Sequence, residues 1–172
     1  MTKRQPWFQR EFPTGLAAHL LPVVIERLRG TPARLDDCLA DVPQAVLTRR
    51  SGDTWSIQEN VGHLLDMESL WQQRLEDLTV RRPELTVADL ENRRTHEANH
   101  NAARLEVLLR EFRQARAELV RQLEAFPEDV LGFAAMHPRL KTLMNVVDVA
   151  FFVAEHDDYH LARIRELLRE VT

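Results

Sequence analysis

Cysteine, glycine and long apolar runs are all scarce in this chain of 172 residues. The single cysteine, Cys38, cannot form an internal disulfide, which favours a reducing, cytoplasmic setting. Its acidic neighbours in LDDCLADV would raise the pKa of the thiol, so a structural cysteine is favoured over a nucleophile. No apolar run approaches the length of a membrane span, and the polar, charged N-terminus does not resemble a signal peptide.

Neither sign of charge dominates the sequence, because 23 basic and 27 acidic residues are interspersed. No basic face or tail is apparent, so a nucleic-acid partner is not expected. Runs of β-branched residues are almost absent, which predicts an all-α protein. The length predicts one domain over residues 1–172. Within it, residues 1–13 should form an extended arm that Trp7, Phe8 and Phe12 pin to the surface.

Apolar spacing and capping signals predict four main helices in a bundle. They fall near residues 16–41, with an interruption at Gly30 to Pro32, and near 56–80, 102–125 and 142–171. Ser56 and Glu59 have the spacing of a capping box, which is a strong start signal for the second helix. Thr142 is the predicted cap of the last helix.

The last helix carries two histidines on its inward face. Its stripe steps by three and four residues through Val149, Val153, His156, His160, Ile164, Leu167 and Val171. Residues four apart lie on the same face, within about 6 Å at Cβ, so His156 and His160 could share one metal ion. The alternative is two core histidines bonded to carbonyl groups or to each other, which are harder to satisfy without a shared partner.

His63 lies at the edge of the apolar stripe of the second helix, about 10 Å along the axis from Ser56. His160 lies about 16 Å from Val171 at the other end of the last helix. These depths nearly match if the two helices are antiparallel, whereas a plain up-down-up-down bundle makes them parallel. A shared site therefore requires a crossover connectivity. Three neutral imidazoles would leave open positions for water or substrate, as in catalytic sites.

A second motif competes, because His96 to His100 spell H-E-x-x-H. In zinc proteases both histidines of this motif bind zinc and the glutamate, here Glu97, is the general base. The longer form of the motif fails, since Ala103 stands in place of glycine and Glu106 in place of the third histidine. We therefore favour a polar surface helix and predict that His96 and His100 do not form the principal metal site.

Two stretches resemble the DinB (DinB/YfiT-like) superfamily. LTRRSGDTWSIQENVGHLLDMESLWQQRL is similar to that family's W-S-x-x-E…H-L segment, and TLMNVVDVAFFVAEHDDYHLARIREL is similar to its closing H-x-x-x-H helix. The resemblance covers about residues 20–170 and implies a four-helix bundle with non-simple connectivity. It also implies a divalent metal ion, often zinc or nickel, bound by His63, His156 and His160.

The function implied by this resemblance is a cytoplasmic metalloenzyme with a small-molecule substrate. Related members activate a low-molecular-weight thiol for transfer or isomerisation, and a hydrolase that activates water is the second version. Asp66 and Asp157 are candidate outer partners of the histidines or proton carriers, although a solvated surface acid is favoured for Asp157. The rival hypothesis is a non-enzymatic, stress-associated metal-binding bundle, which could form a homodimer.

Overall fold

The computed structural model describes residues 4–170, and helices dominate this part of the chain. The α-helices are α1 (Leu21–Arg29), α2 (Thr31–Leu39), α3 (Gln44–Leu47), α4 (Ile57–Thr79), α5 (Arg93–Glu97), α6 (Leu105–Glu124) and α7 (Val146–Arg169). One short antiparallel hairpin pairs β1 (Ala135–Met136) with β2 (Leu143–Met144). Apart from this hairpin, which the sequence did not predict, the all-α class is confirmed.

The first predicted helix, over residues 16–41, is two helices that meet at Gly30. Pro22 and Pro32 each lie in the first turn of one of them, where the missing N–H of proline is tolerated. The residues before Leu21 form only a 3-10 turn. The interruption was therefore predicted correctly, but the regular helix begins about five residues later than expected.

The capping box at the start of α4 is confirmed. The Ser56 hydroxyl accepts a hydrogen bond from the backbone N–H of Glu59 at 3.1 Å. The Glu59 carboxylate in turn accepts one from the backbone N–H of Ser56 at 2.8 Å.

The predicted cap at Thr142 is wrong, because Thr142 lies just before β2 and its backbone oxygen accepts from the backbone N–H of His137 at 2.8 Å. Helix α7 begins after Asn145, whose side chain accepts from the backbone N–H of Asp148 at 3.0 Å. The Asp148 carboxylate accepts from the backbone N–H of Asn145 at 2.9 Å, which completes a second capping box. Residue 171, the predicted last residue of this helix, lies outside the described residues.

Helices α4 and α7 run antiparallel. Their contacts pair Asn60 with His160, His63 with His156 and Trp71 with Phe152, so residue numbers rise along one helix as they fall along the other. Helices α1 and α4 both pack against α6 and α7. This packing places α1 and α4 at opposite corners of the bundle.

The connection from α4 to α6 travels back along α4. Its successive hydrogen bonds join Thr86 to Asp77, Thr95 to Asp66 and Ala103 to Gln58, from the end of α4 towards its start. Helix α6 therefore starts at the same end of the bundle as α4. This path is compatible with the crossover connectivity that a shared histidine site requires.

Two apolar clusters fill the bundle. One joins α1, the second half of α4, the end of α6 and the start of α7; the other joins α2, the start of α4, the start of α6 and the end of α7. Between them the helices bury polar side chains, among them His63, Glu68, Arg116, His156 and Asp157. A buried polar group without a partner costs roughly 1–3 kcal/mol, so apolar packing does not explain this layer.

The N-terminal arm packs on α7 through Trp7 and Phe12, whose rings both contact the ring of Phe152. The prediction that Phe8 also anchors the arm is wrong, because this side chain is 59% exposed. The first three residues of the predicted arm lie outside the described residues. Within residues 4–170, no helix has both the length and the apolar character that a membrane crossing requires.

Candidate metal centre

Three buried histidines converge between α4 and α7. His63 lies in the second turn of α4, and His156 and His160 lie one turn apart on α7. One ring nitrogen from each lies within 4.8 Å of the other two. The antiparallel packing of α4 and α7 thus brings together the three side chains that the sequence selected.

Hydrogen bonds on the far side of two rings indicate which nitrogen carries the proton. The Asn60 amide nitrogen donates to the backbone oxygen of Ser56 at 2.7 Å, so its oxygen accepts from Nδ1–H of His160 at 2.9 Å. The Thr95 hydroxyl donates to Asp66 at 2.8 Å, so its oxygen accepts from Nδ1–H of His63 at 3.1 Å. Both histidines therefore keep an unprotonated Nε2, which is the atom a metal ion requires.

His156 lacks such a partner. Its Nδ1 is buried and makes no hydrogen bond within the described residues, while the rings of Trp7 and Trp71 pack against it. Its Nε2 lies 3.3 Å from Nε2 of His63. A hydrogen bond between these two atoms would still leave Nε2 of His160 without a partner in residues 4–170.

A metal ion fits these donors. Two nitrogens at about 2.0–2.1 Å from a tetrahedral zinc ion lie roughly 3.4 Å apart, close to the observed 3.3 Å separation of His63 and His156. Imidazole is a ligand that suits zinc, nickel, copper and iron. With three protein donors, the coordination shell would keep a position for a further ligand.

Burial keeps these imidazoles neutral. It lowers the pKa of His63 to about 4, and it lowers the pKa of His156 and His160 well below the ordinary value of 6.5. His63 also disfavours a positive charge on His156 and His160, and His156 disfavours one on His160, so these contributions lower both pKa values further. Neutral imidazole is the form that ligates metal, so the site is in its binding form at neutral pH.

Asp66 supports His63 from behind, as the sequence suggested. Its Oδ2 accepts hydrogen bonds from the Thr95 hydroxyl and from Nε2 of His100, each at 2.8 Å. Burial alone would raise the pKa of Asp66, but the hydrogen bonds from His100 and Thr95 outweigh it and lower the pKa. A charged Asp66 thus orients Thr95, and Thr95 in turn fixes the ring of His63.

Asp157 is not the solvated surface acid that the sequence favoured. Its side chain is fully buried and forms a two-point ion pair with Arg116, which also binds Glu68 at 2.6 Å. The Thr31 hydroxyl donates to Asp157 at 2.7 Å. The face of α7 that was expected to contact solvent therefore packs against α2 and α6. Asp157 thus supports the bundle beside the histidines.

The H-E-x-x-H motif does not place its histidines on one helical face. Helix α5 ends at Glu97, and Asn99 adopts a left-handed conformation with φ of 50°. His96 and Glu97 are exposed. His100 is buried, contrary to the surface helix predicted for this segment, and it binds Asp66. Among the described residues, the three-histidine cluster is the group arranged to hold a metal ion.

A cavity of about 400 Å³ opens from the three histidines to the surface. Apolar and aromatic side chains form much of its wall, among them Trp7, Trp55, Met67, Trp71, Val87 and Phe152. Cys38 does not line it and packs instead against the apolar cluster of α2. Burial raises the pKa of the Cys38 thiol, as does the nearby Asp37, so this thiol is poorly suited to act as a nucleophile.

A family model described as the DinB superfamily matches residues 27–164. The chain belongs to the DinB superfamily. The match includes all three histidines and the whole connection between α4 and α6. A comparison with curated proteins found no match.

Among solved structures, this DinB-superfamily chain is similar to YfiT from Bacillus subtilis. The two share 18% of their residues over 94% of this chain and 93% of YfiT, with a TM-score of 0.81. That protein is described as "a probable metal-dependent hydrolase with an unusual four-helix bundle topology". At this level of identity, the likeness shows the fold, which confirms the predicted bundle type.

Sequence reasoning named Asp66 but missed the other partners that orient the histidines and Asp66 itself. Asn60 lies one turn before His63 on α4, a spacing that could have marked it as a candidate. Thr95 and His100 come from the crossover connection, and no local pattern indicates that they pack against α4. Gly62 carries one signal, because a side chain there would lie 2.2 Å from the ring of His100.

Proposed function

We propose that this chain is a metal-dependent hydrolase of a small-molecule substrate, with one divalent ion bound by His63, His156 and His160. The observation that carries the proposal is the convergence of three neutral imidazoles at one end of an open, mainly apolar cavity. A closed shell would favour a structural ion, whereas three protein donors beside a cavity are typical of catalytic sites. The hydrolase described for YfiT supports this version.

A divalent ion bound there supplies Lewis-acid chemistry, since it acidifies a coordinated water or thiol and polarises a carbonyl group. The chain's own residues hold and orient the components. Thr95 and Asn60 fix the imidazole protons on the sides away from the cavity centre. The Tyr159 hydroxyl accepts from the backbone N–H of Trp7 at 3.4 Å, which leaves its own proton free to bind a substrate oxygen.

Activation of a low-molecular-weight thiol is the second candidate function. It is favoured by the position of Cys38, which lies outside the cavity and cannot supply a nucleophile. In that case the thiol would come from solution and enter the cavity with the second substrate. A cytoplasmic location and a homodimer stay predictions of the sequence, which fractionation and sedimentation velocity would test.

The test combines metal analysis with an activity screen. Protein purified without added metal should contain about one equivalent of zinc or nickel by elemental analysis. Aryl esters and amides are then assayed with and without added thiols; turnover without thiol supports hydrolysis, and turnover only with thiol supports the second candidate. His160→Ala should lose both metal and activity. Full activity after complete removal of metal would refute the proposal.

A further inference from the structure

A second polar cluster lines the same cavity, away from the three histidines. It consists of Arg74 on α4 and of His137 and Arg139 between β1 and β2. Arg74 and His137 are each only 2% exposed. Neither the sequence motifs nor the proposed metal chemistry uses these three side chains.

The hydrogen bonds of His137 leave one of its donors unpaired. Its Nδ1 accepts from the backbone N–H groups of Arg139 and Leu140, both at 3.2 Å. The proton of the neutral ring is therefore on Nε2. That N–H lies 3.1 Å from Nη1 of Arg74, which can only donate. Two donors thus lie side by side, and an acceptor between them would satisfy both.

The two arginines form no direct ion pair within the described residues, although the Asp77 carboxylate, three residues from Arg74 on α4, acts on the charge of Arg74. Arg74 donates through Nε to the backbone oxygen of Thr86 at 3.0 Å, and Nη2 of Arg139 is buried without a hydrogen bond. Neither forms an ion pair with any carboxylate of residues 4–170. Asp89 also lines the cavity, but its two oxygens accept the backbone N–H groups of Glu91 and Arg93.

The pKa values of Arg74 and His137 reflect their burial and the positive charges around them. Burial lowers the pKa of Arg74 to about 10; the Asp77 carboxylate partly opposes this, and Arg139 acts in the same direction as burial. Burial also lowers the pKa of His137 to about 3, with further contributions from Arg74 and Arg139. An anion in this part of the cavity would offset the repulsion between the arginines and accept the free N–H groups.

We propose that Arg74, His137 and Arg139 bind the carboxylate of the small-molecule substrate, which deepens the proposed function and rests on it. Helix α4 rises about 16 Å between His63 and Arg74, and both side chains line one cavity. The wall between them includes Met67, Trp71 and Phe152. The substrate is thus an elongated acid with an apolar or aromatic middle, whose reacting bond is remote from its carboxylate.

Binding of 4-phenylbutyrate and of its neutral amide, measured by calorimetry, tests this assignment. The wild type should bind the acid at least about tenfold more tightly than the amide, because a charge-assisted hydrogen bond contributes that much. Arg139→Gln should remove this preference. Arg74→Gln, which also loses the bond to Thr86, should act in the same direction. Arg121→Gln is the matched control, because Arg121 is exposed and paired with Glu118.

Each measurement is made on the protein as purified and after chelation, since a carboxylate could also bind a metal ion directly. Retention of the preference for the acid after chelation, and in His160→Ala, supports the cluster as its binding site. Equal affinity for acid and amide, loss of the preference on chelation, or an unchanged preference in Arg139→Gln would overturn the proposal. A wild type without metal or hydrolysis that still prefers the acid would refute the proposed function alone.

Discussion

Replacing His137 by Gln should weaken the pH dependence of stability. The neutral ring of His137 accepts two backbone N–H groups and lies between two arginines. Protonation would break both hydrogen bonds and add a third positive charge at a buried position. The side chain of Gln can accept the same N–H groups but does not titrate, so the variant removes the proton-binding group with little change in volume.

The size of the effect follows from the pKa of His137, which is about 3 in the folded protein and 6.5 ordinarily. Because the folded pKa is the lower one, the unfolded chain binds the proton first as the pH falls below 6.5. Stability is therefore complete above pH 6.5 and is lost progressively towards pH 3. Between pH 7.5 and pH 5.0 this amounts to about 2 kcal/mol for a single histidine.

The assay is urea unfolding of chelated protein at the two pH values. The loss of unfolding free energy on acidification should be about 2 kcal/mol larger in the wild type than in His137→Gln. Taking this difference removes most of the contribution of other groups, including Glu68, whose pKa burial raises to about 7 and which therefore acts in the opposite direction. His19→Gln is the control because His19 is exposed. Equal losses in the wild type and His137→Gln would refute the reasoning.

Three further predictions concern the metal centre. Chelation should lower the melting temperature of the wild type, because it removes up to about 4 kcal/mol of stability at a thousandfold excess of metal over Kd. The melting temperature of His160→Ala should not change on chelation. In a metal titration, His96→Ala should bind metal with unchanged affinity. His100→Ala should still bind one equivalent, but at least about tenfold more weakly than the wild type, because His100 holds Asp66. Loss of metal in His96→Ala would revive the H-E-x-x-H site. Gly62→Ala should destabilise the protein by about 1–3 kcal/mol in urea unfolding, because its methyl group would displace the ring of His100; a stable variant with unchanged metal affinity would contradict this.

The helical framework and the three histidines were accessible from the sequence because both depend on local rules. The spacing of His156 and His160 places them on one face through the helix repeat alone. The position of His63 follows from the rise per residue, counted from the start of α4, which the capping box at Ser56 marks. Once α4 and α7 are antiparallel, these distances bring the three rings together.

The remaining features depend on contacts that no local pattern encodes. Asp157 follows His156 directly, and a single inward stripe would leave it in solvent. In the folded bundle α7 packs against α1, α2 and α4, so more than one of its faces is buried and Asp157 contacts Arg116. The roles of Thr95 and His100 likewise depend on the return path of the crossover connection, which brings them against α4 from more than thirty residues away.

Most of the buried polar atoms without a hydrogen-bond partner in residues 4–170 belong to residues around the cavity. Five buried side-chain atoms in the described residues lack a hydrogen-bond partner, and three belong to residues that line the cavity: Trp71 Nε1, Arg139 Nη2 and His156 Nδ1. Of the other two, Asp77 Oδ1 lies 3.3 Å from Arg82, which leaves Glu68 Oε2. Each such atom costs roughly 1–3 kcal/mol of stability. Three of them along one wall are therefore not explained by packing alone. The unpaired polar atoms are thus concentrated on residues around the candidate site, and the apolar packing of the bundle does not account for them.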